Sequence, residues 1–157
     1  MTHPEVEQAV ALYNQGYTCT QSILASFAER YGLPQNLAFR IGEPFGAGTS
    51  CTGDRCGSVT GAIMVLGLQY GSTLNNDDSA RFYTYQRVQE LIHRFTEIHG
   101  SIQCPDLLGY NLSDPQQLQT VIEKGLFIQL CPGLVRDAAQ ILVEMLGTTT
   151  PTHPKSP

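Results

Sequence analysis

The sequence predicts an all-α fold: a compact bundle of about six to seven helices, with a glycine-rich loop before the central one. Three observations predict it. Apolar residues recur at three- and four-residue steps, as in Phe82, Tyr85, Val88, Ile92 and Phe95. Proline and glycine fall where helices start and stop, as at Pro4, Pro115 and Pro132, or Gly16, Gly32 and Gly100. Neither an alternating strand pattern nor an internal repeat is visible.

The elements follow in order. The first helix runs from about Pro4 to Asn14, with Val6, Ala9, Val10 and Tyr13 on one face and Gly16 as its stop. Thr18-Cys19-Thr20-Gln21 fits a capping box, with Thr18 as N-cap and Gln21 reaching back. The second helix reaches Tyr31 on a stripe of Ile23, Leu24, Phe27 and Ala28. Cys19 lies four residues before Ile23, so its thiol faces inward. Gly32 is a C′ residue, and Pro34 cannot extend the helix. A short turn over 36–41 leads to the segment from Gly42 to Gly57. This segment also holds Gly46, Gly48, Gly53 and Pro44, and no helix or strand period survives in it, so it is a loop. A helix then begins at Cys56 or Gly57 and runs to about Gln69. Glycine inside a helix costs about 1 kcal/mol against alanine. Gly57, Gly61 and Gly67 therefore point to close approach of a neighbouring backbone.

Ser72–Asp78 is a polar loop, with Asp77 or Asp78 as the N-cap of a long helix from about Ser79 to Ile98. Glu90 and Arg94 are spaced as an i,i+4 ion pair on it. Gly100 ends it. Cys104-Pro105 begins a short turn, Asp114-Pro115 opens a helix to about Lys124, and Cys131-Pro132 opens the last helix, to Leu146. That helix is apolar nearly all round and should be buried. Residues 1–147 form a single helical domain, and 148–157 read as a disordered Pro/Thr-rich tail.

Composition narrows the function. Of 157 residues, 9 are Lys or Arg and 14 Asp or Glu, a net charge of −5. Scattered basic residues give no footprint for a phosphate backbone, so no nucleic-acid partner is expected. The uninterrupted apolar stretch Ala62–Leu68 falls far short of the roughly 20 residues that cross a bilayer. No basic segment precedes an apolar one at Met1-Thr2-His3-Pro4-Glu5. The expectation is a soluble cytoplasmic protein, without a membrane partner, whose thiols are reduced at rest. Charged residues are only 15% of the chain, against roughly 25% in ordinary soluble domains. Either a Ser/Thr/Gln-rich surface or a second copy covering part of it accounts for this, and the latter makes the chain a homo-oligomer, most simply a dimer.

The cysteines carry the most information. Cys19 falls just inside a helix start, Cys56 just before one, Cys131 at an N-cap and Cys104 before a proline-led turn. Free amides and the positive end of a helix dipole favour thiolate over thiol. Several such thiolates gathered together make a reactive redox centre, or a metal or iron–sulfur site. Buried cysteine also serves as a small hydrophobe, and singly each of these reads that way. The spacings match no local motif. There is no C-x-x-C, so zinc knuckles are not expected, and Cys51 and Cys56 form a C-x₄-C pair without its usual companion.

In these segments the chain resembles the C_GCAxxG_C_C family of redox-active proteins. The resemblance rests on Gly16-Tyr17-Thr18-Cys19 and the helix after it, Phe45-Gly46-Ala47-Gly48, and Cys56-Gly57-Ser58-Val59-Thr60-Gly61-Ala62 with Val65-Leu66-Gly67-Leu68. It continues through Gly100-Ser101-Ile102-Gln103-Cys104, Leu107-Leu108-Gly109, and Cys131 with Val135-Arg136-Asp137-Ala138-Ala139, so it spans about residues 5–146. It implies that Cys19, Cys56, Cys104 and Cys131 are the four family cysteines and converge on one site. A likeness to cysteine-bearing domains of iron–sulfur-containing split-Soret cytochromes makes the implied cofactor an iron–sulfur cluster, held by those four residues for electron transfer or sensing. The implied partner is a redox protein or small redox molecule. The resemblance leaves open whether the chain turns over a substrate as an oxidoreductase. Ser58 stands where the family pattern has alanine. Cys51 is an extra thiol, either a bystander, a resolving thiol or a substitute ligand.

Two alternatives stand beside the cluster: a metal-free thiol–disulfide oxidoreductase, and a helical module binding zinc or a partner protein without turnover. The Gly46-x-Gly48 loop lacks the Lys-Ser/Thr ending of a phosphate loop, and its expected role is to bring backbone amides to sulfur. Arg55 is placed to favour the Cys56 thiolate or simply to be solvated. His99, five residues before Cys104, reads as a proton carrier, a ligand or surface decoration, and His93 as decoration.

Overall fold

The computed structural model describes residues 3–147; the tail expected to be disordered lies outside them. Among the described residues there is no strand, only an isolated antiparallel bridge between Arg55 and Gln103. The helices are α1 (Pro4–Asn14), α2 (Cys19–Ala28), α3 (Gln35–Gly42), α4 (Gly57–Tyr70), α5 (Asp78–His99), α6 (Cys104–Leu108), α7 (Pro115–Glu123), α8 (Leu126–Gln129) and α9 (Cys131–Leu146).

Local chemistry sets their ends. The capping box at α2 is complete: Gln21 N–H donates to Thr18 Oγ1 at 3.2 Å, and Thr18 N–H donates to Gln21 Oε1 at 2.9 Å. Asp77 caps α5 by accepting from Ala80 N–H. Gly32 and Gly100 close their helices in the left-handed conformation.

α2 is the centre of the bundle, packed against α1, α3, α4 and α9. Ile23, Phe27, Val59, Val65, Leu66, Phe95, Val135 and Leu142 form the heart of its core. At Gly61 an added Cβ would lie 3.0 Å from the Thr20 carbonyl oxygen, so the close approach of α2 and α4 requires glycine. Gly67 departs from that expectation, because nothing lies within 4 Å of its Cβ position. The run Leu126–Leu146 is long and apolar enough to cross a membrane by length and composition. Its α9 part is the buried core helix expected, set against α1, α2, α4 and α5.

Two expectations about α5 change. Of its predicted apolar stripe only Phe95 is buried, Val88 and Ile92 are partly so, and Phe82 and Tyr85 stand 65% and 56% exposed; Leu91, outside the stripe, is the other buried residue. Glu90 pairs with Arg87 at 2.6 Å, not with Arg94, which reaches across to Glu144 on α9.

Candidate functional site: a cavity lined by four cysteines

The aperiodic segment before α4 contains a turn that the sequence did not announce. Ala47, Gly48, Thr49, Ser50 and Cys51 all have positive φ, between 50° and 63°. Successive left-handed residues other than glycine cost roughly 1–2 kcal/mol each. Local bonds help to hold them: Ser50 Oγ donates to the Pro44 carbonyl at 2.6 Å, and Thr52 Oγ1 to the Thr49 carbonyl at 2.9 Å. The Asp54 amide closes the turn on the Gly48 carbonyl at 3.1 Å.

That turn leads into the bridge. Cys56 N–H donates to the Ile102 carbonyl at 2.8 Å, and Cys104 N–H donates to the Asp54 carbonyl at 2.9 Å. The pair of bonds ties the start of α4 to the start of α6. Gly48 packs so tightly on α6 that an added Cβ would lie 2.7 Å from Cys104 Cβ and 3.1 Å from its Sγ. Gly57 likewise leaves no room for a Cβ, which would meet Thr20 Oγ1 at 2.7 Å and Cys19 Cβ at 3.2 Å. Gly48 and Gly57 thus let the backbone pack closely on Cys104 and Cys19, and the amides that face a sulfur are those of Ser58 and Val59 at Cys56.

The result is a cavity of about 230 Å³ on which Cys19, Cys56, Cys104 and Cys131 all open. Its remaining walls are mostly apolar, among them Tyr13, Tyr17, Leu108, Phe127 and Leu134. Tyr17 is stacked on Phe39, with ring centroids 4.2 Å apart. Cys19, Cys104 and Cys131 are the first residues of α2, α6 and α9, and Cys56 is the N-cap of α4. All five cysteines of the chain are free thiols.

Only one of the four thiols is lowered, and its neighbours' side chains are the cause. Cys131 is held below the usual thiol range, first by the Cys19 thiol that donates to it and less by the nearby Tyr13 hydroxyl, against the opposing effect of burial. Cys19 is pushed well up, by its role as donor to Cys131 and then by burial. Burial raises Cys56, although the amide and hydroxyl of Ser58 and the amide of Val59 pull the other way. Burial and the neighbouring sulfurs push Cys104 up to about 12. Burial is the main cause at Cys56 and Cys104, whereas at Cys19 it comes second to the bond with Cys131. Cys131 is lowered chiefly because the Cys19 thiol donates to it.

Tyr13 is a site residue that sequence reading placed only on an apolar helix face. Its hydroxyl donates to the Phe127 carbonyl at 2.9 Å, and burial followed by the nearby Cys19 and Cys131 sulfurs raises its pKa. No spacing signal could have found it. Ser58 is fully buried, and its Oγ has no hydrogen-bond partner of normal geometry. The polar groups beside it are the thiols of Cys19 and Cys56.

Other candidates fall elsewhere. Cys51 is half-buried, packs on the satellite core around Cys104 and does not line the cavity. Arg55 is not among the groups that shift Cys56, and its expected help to that thiolate is not seen. His99 does not face the cavity: its Nε2 lies 3.0 Å from Asp137 Oδ2 and its ring sits against Phe95. His93 is exposed beside Glu97. Among the described residues, no group of three or more His, Cys, Asp or Glu side chains lies close enough to hold one metal ion. A single tetrahedral ion with metal–sulfur bonds of about 2.3 Å needs sulfurs about 3.8 Å apart.

Compared with known proteins, residues 17–145 match the model of a family described as "Putative redox-active protein (C_GCAxxG_C_C)". No curated protein and no solved structure matches the chain.

Proposed function

The chain belongs to the C_GCAxxG_C_C family, and on that premise we propose that it is a redox protein whose four cavity thiols hold an iron–sulfur cluster for electron transfer or sensing. One observation carries the reading. Cys19, Cys56, Cys104 and Cys131 come from four separate helix starts, and all open on one cavity of about 230 Å³. Thiolate is the donor such clusters take.

The residues present fit such a group. Four sulfurs surround an apolar space, and a cluster spreads its ligands more widely than one ion does. The buried Ser58 hydroxyl is unpartnered and lies against two of the sulfurs. The amides of Ser58 and Val59 face Cys56. Protein donors around ligand sulfur set the potential of such a centre. Three of the thiols resist ionisation when empty-handed, and a cationic centre removes that resistance. When bound, the cluster supplies a one-electron carrier. The chain supplies the ligands, an apolar wall of Leu108, Phe127 and Leu134 that limits water, and the donors to sulfur. Its electron partner would be a redox protein or a small redox molecule.

A second reading, thiol–disulfide exchange, is favoured by the hydrogen bond between Cys19 and Cys131. The Cys131 thiolate would attack one sulfur of a substrate disulfide and release the other as a thiolate. Cys19, giving up its proton, would then attack Cys131 and release the second substrate thiolate. The substrate disulfide gains two electrons, and the protein ends with a Cys19–Cys131 disulfide. A single structural zinc has no support among the described residues, where no three ligands gather closely enough for one ion.

Thiol counting separates the two. Protein isolated without oxygen should have four of its five thiols protected from alkylation, with all five released by acid and a chelator. A metal-free protein with all five reactive, two of which disappear together on mild oxidation, would replace the first reading with the second.

A further inference from the structure

The first half of α5 carries apolar surface that the bundle does not use. Phe82, Tyr85, Gln86, Gln89 and His93 recur at steps of three and four, so they share one side of the helix, and all of them are exposed. The other side is fastened to the fold. Thr84 Oγ1 donates to the Tyr70 carbonyl at 2.9 Å, and Arg87 donates to the Met145 carbonyl at 3.0 Å with its guanidinium over the Tyr70 ring. Leu91 and Phe95 are buried on that side. The outer face is therefore held in place from behind, and Phe82 and Tyr85 stand on it mostly uncovered by the described residues. Residues 148–157 offer no aromatic or large aliphatic side chain to fill it.

Charge decides what fits this face. From Phe82 to Gln89 its outward positions carry no ionised side chain. The ions at its edges are already matched on the same helix, Arg81 to Asp78 at 2.5 Å and Arg87 to Glu90 at 2.6 Å. A strongly charged partner or an anionic membrane surface is held by unmatched charge at the contact, and this face has none. A second copy of a chain with net charge −5 needs the opposite, a neutral patch that can meet its own image. Area agrees. Phe82 is 65% exposed, Tyr85 56% and Tyr83, at the edge of the face, 47%. An aromatic side chain carries about 150–250 Å², so the three leave roughly 350 Å² uncovered per copy. Doubled across a two-fold axis, and with the glutamines added, this reaches about 1,000 Å², the size of a weak, reversible interface.

We propose that the outer face of α5, centred on Phe82, Tyr85 and Gln86, is the contact of a homodimer. The middle of the face lies at Tyr85 and Gln86, so the two-fold axis passes there and Gln86 meets the partner's Gln86. No residue of α5 lines the cysteine cavity, so the contact stands independently of the redox reading.

The test is sedimentation equilibrium of the whole chain, with reductant present, from about 1 to about 300 μM, the range in which a weak interface forms. The expected mass rises from 17.2 kDa towards twice that value. Phe82→Glu should weaken association at least about tenfold. Ile98→Glu, at an exposed apolar position near the far end of the same helix, should leave it unchanged. Circular dichroism and thermal midpoints check that each variant keeps the fold. Gln86→Glu and Gln86→Lys should each weaken association, and mixing the two should restore it, which requires position 86 to meet itself. Protein that stays monomeric across the range overturns the proposal. So does a dimer that Phe82→Glu leaves intact, a dimer that forms only when reductant is withdrawn, or a mixture of the Gln86 variants no tighter than either alone. Binding of the monomer to anionic phospholipid vesicles, lost in Phe82→Glu, would give the face to a membrane and equally overturn it.

Discussion

Cys56 and Cys104, 48 positions apart in the chain, flank the two sides of one antiparallel bridge. The amide of Cys56 bonds to Ile102 and that of Cys104 to Asp54. Backbone hydrogen bonds therefore fix these two helix starts relative to each other, without any help from a ligand. The other two, Cys19 and Cys131, are joined through their thiols and through the packing of α2 on α9. The cavity is thus held by two different devices, and substitutions should tell them apart.

Cys131 should be the first thiol to react. In reduced metal-free protein near pH 8, its alkylation should outpace that of Cys56 and Cys104, whose pKa values are raised. Cys19→Ala removes its main donor and should slow Cys131 about tenfold at fixed pH. Peptide mapping of timed samples reads both.

Stability of the same reduced protein should fall above pH 9. Cys104 titrates near 9.0 when unfolded but is raised to about 12 when folded. Between those values the unfolded chain has lost a proton that the folded chain still holds, so rising pH favours unfolding. Cys19 and Cys56 act in the same direction, whereas Cys131, being lowered, adds stability as pH rises towards 9 and changes nothing above it. Thermal midpoints should decline from pH 9 to 11. The decline should be shallower in Cys104→Ala.

Gly48→Ala should destabilise the fold and disturb Cys104. The residue has φ +58°, and its added Cβ would press on Cys104 Cβ at 2.7 Å. The left-handed conformation alone costs about 1–2 kcal/mol, which a urea midpoint measures. Gly67→Ala is the contrast. Its Cβ meets nothing, and it lies inside α4, so a gain of up to about 1 kcal/mol is expected.

Cys51→Ser should leave the redox property largely intact, because Cys51 does not line the cavity. Cys56→Ser and Cys131→Ser should each abolish it. Visible absorption of anaerobically isolated variants gives the comparison, and greater damage from Cys51→Ser would reassign the ligands.

Helix starts were legible in the sequence because their signals are local. The Thr18–Gln21 box, Asp77, and the prolines after Cys104 and Cys131 mark ends that need no tertiary context. What was not legible depends on partners distant in the chain. Arg94 passes over its helical neighbour Glu90 for Glu144 on another helix. Tyr13 meets Cys131 only after α1 packs on α9. The left-handed turn at 47–51 carries one glycine among five positive-φ residues, so composition could reveal an aperiodic segment but not its hand. Local signals placed Cys19, Cys56, Cys104 and Cys131 correctly at helix starts, yet the dipole argument misjudged three of their pKa values, because depth of burial cannot be read from position along a helix.

Quantifying iron and acid-labile sulfide per chain in protein purified under argon bears most directly on the central claim. The account predicts both in comparable amounts, together with a brown colour that disappears in Cys131→Ser. Colourless wild-type protein that contains neither, and takes up neither when supplied with iron, sulfide and reductant, would contradict it.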